Sequence, residues 1–183
     1  MNKFFLLILA MLVLCPAVAG DNTKPTLVVP KASGLSPATA TPGPTEEASF
    51  SGQVWVSGLL IAQWPANLKK LVPGDKIEVS IKLDKKELKK LPYYIWPEWN
   101  KSYVPKLVDI FNRDEAIKLT FPKGLGTRLL NKEIQLAEVH AKFLLSNYKI
   151  GVECDAPWAH AILVSTDVKG VAQIGNGIDL GGC

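Results

Sequence analysis

Nine residues constrain this chain more than any others. In 76–84 (KIEVSIKLD), Ile77, Val79, Ile81 and Leu83 alternate with Lys76, Glu78, Ser80, Lys82 and Asp84. Successive side chains of an extended chain point to opposite faces, so this period of two lines one face with apolar groups and wets the other. It predicts a half-buried strand, entered through the turn signal Pro73-Gly74-Asp75. Residues 50–63 read as a second, more apolar strand region, with Gly52 and Gly58 marking bends or bulges. Residues 116–121 (AIKLTF) read as a third strand, ended by Pro122, Gly124 and Gly126. Residues 148–154 and 159–168 flank Asp155-Ala156-Pro157-Trp158 and together predict a β-hairpin.

Two stretches carry helical signals. Residues 83–91 hold Asp84 and Glu87 at capping-box spacing, with Leu88 and Leu91 to one side. Residues 132–145 fit a helix through Ile134, Ala137 and Ala141, and fit strands through Ile134/Leu136 and Val139/Ala141/Phe143/Leu145. Periodicity alone leaves both open there, and strand is the expectation adopted. Five or six strands with one short helix predict a mostly β fold, a single small barrel or sandwich, with an OB-like barrel as the specific expectation.

The first nineteen residues read differently. Lys3 is a positive n-region, residues 4–14 (FFLLILAMLVL) an apolar h-region, and Ala17-Val18-Ala19 a small-x-small cleavage pattern. Residues 1–19 are therefore expected to be a signal peptide cleaved after Ala19, which gives a periplasmic or extracellular address. The apolar run falls short of the roughly 20 residues that span a bilayer. Cys15 raises a lipoprotein alternative, weakened by Leu14 where a small residue belongs. Residues 20–47 follow as an expected disordered linker: 21–47 contain five prolines and no aromatic residue, too little apolar surface to offset ordering. From residue 48 the composition shifts, and all five tryptophans and all four tyrosines lie in 48–183. That span is expected to be one globular domain.

Losing 1–19 removes one lysine and no acid, so the net charge of +4 becomes +3. Such a mild excess allows attraction to anionic surfaces without demanding it. Of the three cysteines only Cys154 and Cys183 then remain, an even pair that predicts one disulfide in an oxidising compartment. A metal site is not expected, because neither cysteine has a second one at zinc-ligand spacing.

No catalytic residue and no cofactor is predicted. There is no HExxH and no GxSxG. His140 and His160, with Glu138, Glu153 and Asp155 near them in sequence, form the one acid–base candidate. Gly124-Leu125-Gly126-Thr127-Arg128 and Gly175-Asn176-Gly177 look like fragments of phosphate loops, but neither has the full glycine pattern leading into a helix, so both read as turns. Asn100-Lys101-Ser102 matches a glycosylation sequon, a triplet common by chance.

Two features point to binding. Tyr93, Tyr94, Trp96, Trp99 and Tyr103 crowd into eleven residues with Pro92 and Pro97, a composition suited to a loop presenting flat rings. The competing reading turns those rings into the core. Between Lys69 and Lys90 stand eight lysines against four acids, among them Lys85, Lys86, Lys89 and Lys90. These make either a surface for acidic partners or a solvated face. The reading that follows is an exported, non-enzymatic binding domain that contacts an acidic envelope or glycan-type ligand. Nucleic acid is the disfavoured partner. The alternatives are a small extracytoplasmic hydrolase using His140 and His160 with neighbouring acids, and a structural envelope component.

Overall fold

The computed structural model describes residues 25–41, 47–65, 71–96, 101–153 and 156–175. Its fold is mostly β. The strands are β1 (Thr26–Val28), β2 (Leu35–Thr41), β3 (Glu47–Gln63), β4 (Glu78–Leu83), β5 (Tyr93–Trp96), β6 (Lys101–Tyr103), β7 (Leu107–Ile110), β8 (Leu136–Glu153), β9 (Ala156–Val168) and β10 (Gln173–Gly175). Two short helices, α1 (Arg113–Thr120) and α2 (Lys123–Leu130), join β7 to β8. Among the described residues no helix is long and apolar enough to cross a membrane.

The alternation at 76–84 is realised in β4. Ile77, Val79, Ile81 and Leu83 are all buried, and Lys82 faces water. Ser80, expected to be wet, is buried as well, opposite Ile61 and Asp109 on the neighbouring strands. The two longest strands, β3 and β8, pair antiparallel along most of their length. From there the pairings run in a cycle. β3 pairs with β4, β4 with β7, β7 with β9 in parallel, β9 with β8 antiparallel, and β8 returns to β3. Both glycines sit where backbones press together, but only Gly52 marks an irregularity, Gly58 lying in unbroken pairing with β4 and β8. Gly58 has Lys82 O only 2.5 Å from where a Cβ would stand. Gly52 has φ +96°, lies in the register shift between Ser49 and Gln53, and packs against the Gly34 carbonyl.

Three local expectations are corrected. Residues 116–121 are helical for most of their length, not a strand. Ala116, Ile117 and Thr120 face the core at helical spacing, and Asp114 and Glu115 stand in the first turn, where carboxylates favour a helix N-terminus. Residues 124–128 belong to α2 rather than a turn, and Gly126 lets that helix approach Ile117. The helix expected over 83–91 shrinks to one 3-10 turn, Glu87–Lys89, with Leu91 driven into the core. The ambiguity at 132–145 resolves to strand from Leu136 onward.

The linker expected over 20–47 also gives way in part, because residues 25–41 are built into the fold. β1 adds to β5 to complete a small sheet of order β1-β5-β6. β2 pairs with the first half of β3, on the side that β4 occupies further along. Leu35 is buried, and its N–H donates to the Ser33 hydroxyl at 3.1 Å. Proline is tolerated in β2 because it is an edge strand, and Pro37 stands beside a register shift. Residues 1–19, Cys154 and Cys183 lie outside the described residues.

Candidate functional site

The parallel pair β7–β9 sets Asp109 opposite His160 and Ile110 opposite Ala161. Alternation sends Val108, Ile110, Ala159 and Ala161 into the core. Asp109, Phe111, Trp158 and His160 are therefore left on the outer face. There the His160 ring contacts both of the other two rings. The Phe111 and His160 centroids are 4.6 Å apart and those of Trp158 and His160 4.7 Å, both pairs tilted. Phe111 is 53% exposed, a large apolar side chain held in water. The strip has a glycine floor. Gly151 of β8 lies opposite Trp158, and the indole rests on the space a Cβ would fill. His160 Nε2 stands 3.6 Å from Asp109 Oδ2, an ion pair once the ring is protonated.

The corner that carries Phe111 is pinned. Its N–H donates to Ala161 O at 3.0 Å. Asn112 Nδ2 donates to Leu163 O at 2.8 Å, and Leu163 N–H donates to Asn112 Oδ1 at 2.9 Å, so the amide acts as an extra rung of sheet. Beside Phe111 opens a cleft of about 650 Å3, walled by residues 111–115, residues 75–77, Trp64 and Leu130. Its charges are mixed: Asp75, Asp114 and Glu115 against Lys76 and Arg113. Trp64 is fixed from within, as Nε1 donates to Leu129 O at 2.8 Å, and Lys132 Nζ lies 4.9 Å from its ring centroid.

The aromatic residues singled out from sequence take another place. Tyr93, Tyr94 and Trp96 lie in β5 and Tyr103 in β6, a hairpin rather than a proline-held loop. Tyr94 and Tyr103 are buried, Tyr93 and Trp96 half-buried, and Trp96 packs edge-on to Tyr103 with centroids 5.0 Å apart. Trp99 lies outside the described residues. Burial of Tyr94 and Tyr103 removes these two from any surface for binding.

Of the four lysines, Lys86 and Lys90 line one hollow of about 290 Å3, together with Trp55, Ser57, Glu87 and Lys142. Lys85 and Lys89 are exposed and line neither cavity. The two histidines do not converge. His140 Nε2 pairs with Asp84 Oδ1 at 3.0 Å, whereas His160 lies opposite Lys149, nine residues further along β8. Nine residues of extended chain are about 30 Å. Among the described residues no three His, Cys, Asp or Glu side chains gather closely enough to hold a metal ion.

Phe111 and Trp55 carry no site expectation from sequence, and Trp158, expected in the turn 155–158, stands instead in β9, because Ala156–Trp158 pair with β8. Trp158 and His160 stand at i and i+2 of one strand, and Trp55 alternates with Val54 and Val56, so for these two a period-two signal was present. Phe111 had none. Comparison of the chain with family models, curated proteins and solved structures returned no match.

Proposed function

We propose that this chain is an exported, non-enzymatic binding module on an OB-like barrel, and that the Phe111–His160–Trp158 strip is its contact surface for a glycan-type ligand. The barrel reading draws support from the pairing cycle. Taking β3, β4, β7, β8 and β9 as five successive strands, the cycle joins each to two others, carries one parallel pair, and places the helices between the third and fourth. Five-stranded Greek-key barrels of this kind bind oligosaccharides and oligonucleotides on their second and third strands and adjoining loops. The ring strip lies on the third and fifth strands, and residues 75–77 beside the cleft belong to the first loop.

One observation carries the binding reading: three rings, Phe111 and Trp158 each against His160, stand on the outside of a sheet. Burial would have gained roughly 1.5–3 kcal/mol for a Phe side chain, so an exposed Phe111 is a cost that a ligand surface explains. Flat rings suit the apolar faces of sugars, and side chains with two torsions lose little entropy on binding. Export rests on the signal pattern of 1–19, and the Cys154–Cys183 disulfide on the oxidising compartment that export implies.

The test is capture on an array of soluble oligosaccharides, read alongside thermal unfolding. Phe111→Ala and Trp158→Ala should each lower capture at least tenfold, with Phe111→Ala leaving the melting temperature within a few degrees. Capture that survives both substitutions would refute the assignment. Intact-mass analysis of secreted protein checks export and the disulfide: a chain starting at Gly20 that gains two hydrogens on reduction is expected, and a lipid on Cys15 or two free thiols would overturn it.

A further inference from the structure

The hollow beside Trp55 is a separate surface. Lys142 on its rim and Gly151 beneath the ring strip are nine residues apart on β8, about 30 Å along the strand. Trp55 is 46% exposed on the outer face of β3. Ser57, two residues on, sits in the lining with its side chain nearly covered. Lys86 and Lys90 approach from the 3-10 turn and Lys142 from β8.

The cations differ in how they are held. Lys90 Nζ lies 2.6 Å from Oε2 of Glu87, close contact for an ion pair though off the line of a good hydrogen bond. Glu87 is only 2% exposed, so a buried carboxylate fixes Lys90 at the rim. Neither Lys86 nor Lys142 has a carboxylate within ion-pair distance among the described residues. The hollow thus holds three cations against one anion, two of those cations uncommitted, around one indole face.

The geometry points to a binding site for an anionic sugar unit, a ring stacked on Trp55 whose carboxylate or phosphate is met by Lys86 and Lys142. About 290 Å3 is at the small end for a ligand pocket and suits one ring rather than a macromolecular face. An indole forming the wall of a concavity meets a ring, whereas contact with a membrane calls for one that protrudes. Lysine is a flexible point charge that accepts either anion.

The experiment follows the tryptophan indole N–H signals of the 15N-labelled full chain by NMR, with Trp55 assigned from the peak lost in Trp55→Phe. The probes are tetragalacturonate and glucose 6-phosphate at low salt, galactotetraose as the neutral counterpart, and tetraglutamate as an anion without a ring. A saturable shift of the Trp55 signal with either anionic sugar is expected, weakened at least tenfold in Lys86→Gln/Lys142→Gln and by high salt. An unmoved Trp55 signal overturns the site. Equal shifts with galactotetraose overturn the role of the lysines, and equal shifts with tetraglutamate overturn the sugar. The Trp158 signal reports on the ring strip in the same spectra, so either surface can fail without the other.

Discussion

Replacing Gly151 by alanine tests the ring strip without touching a ring. A Cβ at 151 would stand 2.7 Å from Nε1 of Trp158 and nearer still to Cε2 and Cζ2. Carbon atoms pack at about 3.5–4.0 Å, so the indole must lift by roughly 1.5 Å or swing away. The φ at 151 lies outside the left-handed region, so the backbone takes the methyl without strain and the cost falls on Trp158. A tryptophan buries up to about 250 Å2. Taking half of an intermediate 200 Å2 off its seat, at about 25 cal/mol per Å2, costs about 2.5 kcal/mol. In a chain of this size that is a fall of roughly 5–10 °C in melting temperature. Tryptophan emission should shift to the red as the indole meets water, and any sugar captured by the strip should be lost. Gly124→Ala is the matched control, an exposed helical glycine with nothing within 4 Å of its added Cβ. It should stabilise the protein by about 0.5–1 kcal/mol. A Gly151→Ala protein with unchanged melting temperature and emission would refute the seating of the indole, and with it the architecture of the strip.

Other substitutions probe the frame. Ile81→Ala, at a fully buried position, should cost about 2–5 kcal/mol in denaturant unfolding, while Lys82→Ala next to it stays within about 0.5 kcal/mol; equal effects would contradict the observed faces. Lys90→Ala should cost about 1–3 kcal/mol by stranding the buried Glu87 carboxylate, part of the loss being made good by solvent, and Lys86→Ala should be nearly neutral. Tyr148→Phe should stabilise by about 1–2 kcal/mol, because the buried hydroxyl has no hydrogen-bond partner among the described residues. Burial also pushes that hydroxyl far above its ordinary pKa of 10.0. Below that value neither folded nor unfolded chain is ionised there; above it only the unfolded chain loses the proton, so stability falls as pH rises. Tyr148→Phe should flatten this alkaline decline, and a lower melting temperature or an unaltered decline would count against the reading.

The sequence by itself determined the inside and outside of the strands wherever polar and apolar residues alternate. Within 76–84, residues 78–83 became β4 with the predicted face inward, because a period of two is a property of the extended backbone and needs no partner to be seen; 148–153 and 159–168 became paired strands as well, but 156–158, read as turn, joined the second of them. Short apolar runs were less informative. Residues 116–121 satisfy a strand and a helix equally over six positions, and the packing of α1 over the core settled them. The proline-rich start reads as unable to form a core, yet its Leu35 joins the core of the domain. The edges of β3 and β5 supplied what it lacked, so residues 25–41 are ordered by their neighbours. The candidate sites depended still more on tertiary structure. Phe111 and Trp158 are 47 positions apart and both reach His160 only because β7 and β9 run parallel, while Trp55 gains its lysines from a 3-10 turn and from β8. The crowded rings of 93–103 were the reverse case: their density suggested a surface, yet a β-hairpin turned Tyr94 and Tyr103 inward. Local pattern decides which way a side chain points along its own strand, and only the pairing of distant strands decides what it faces.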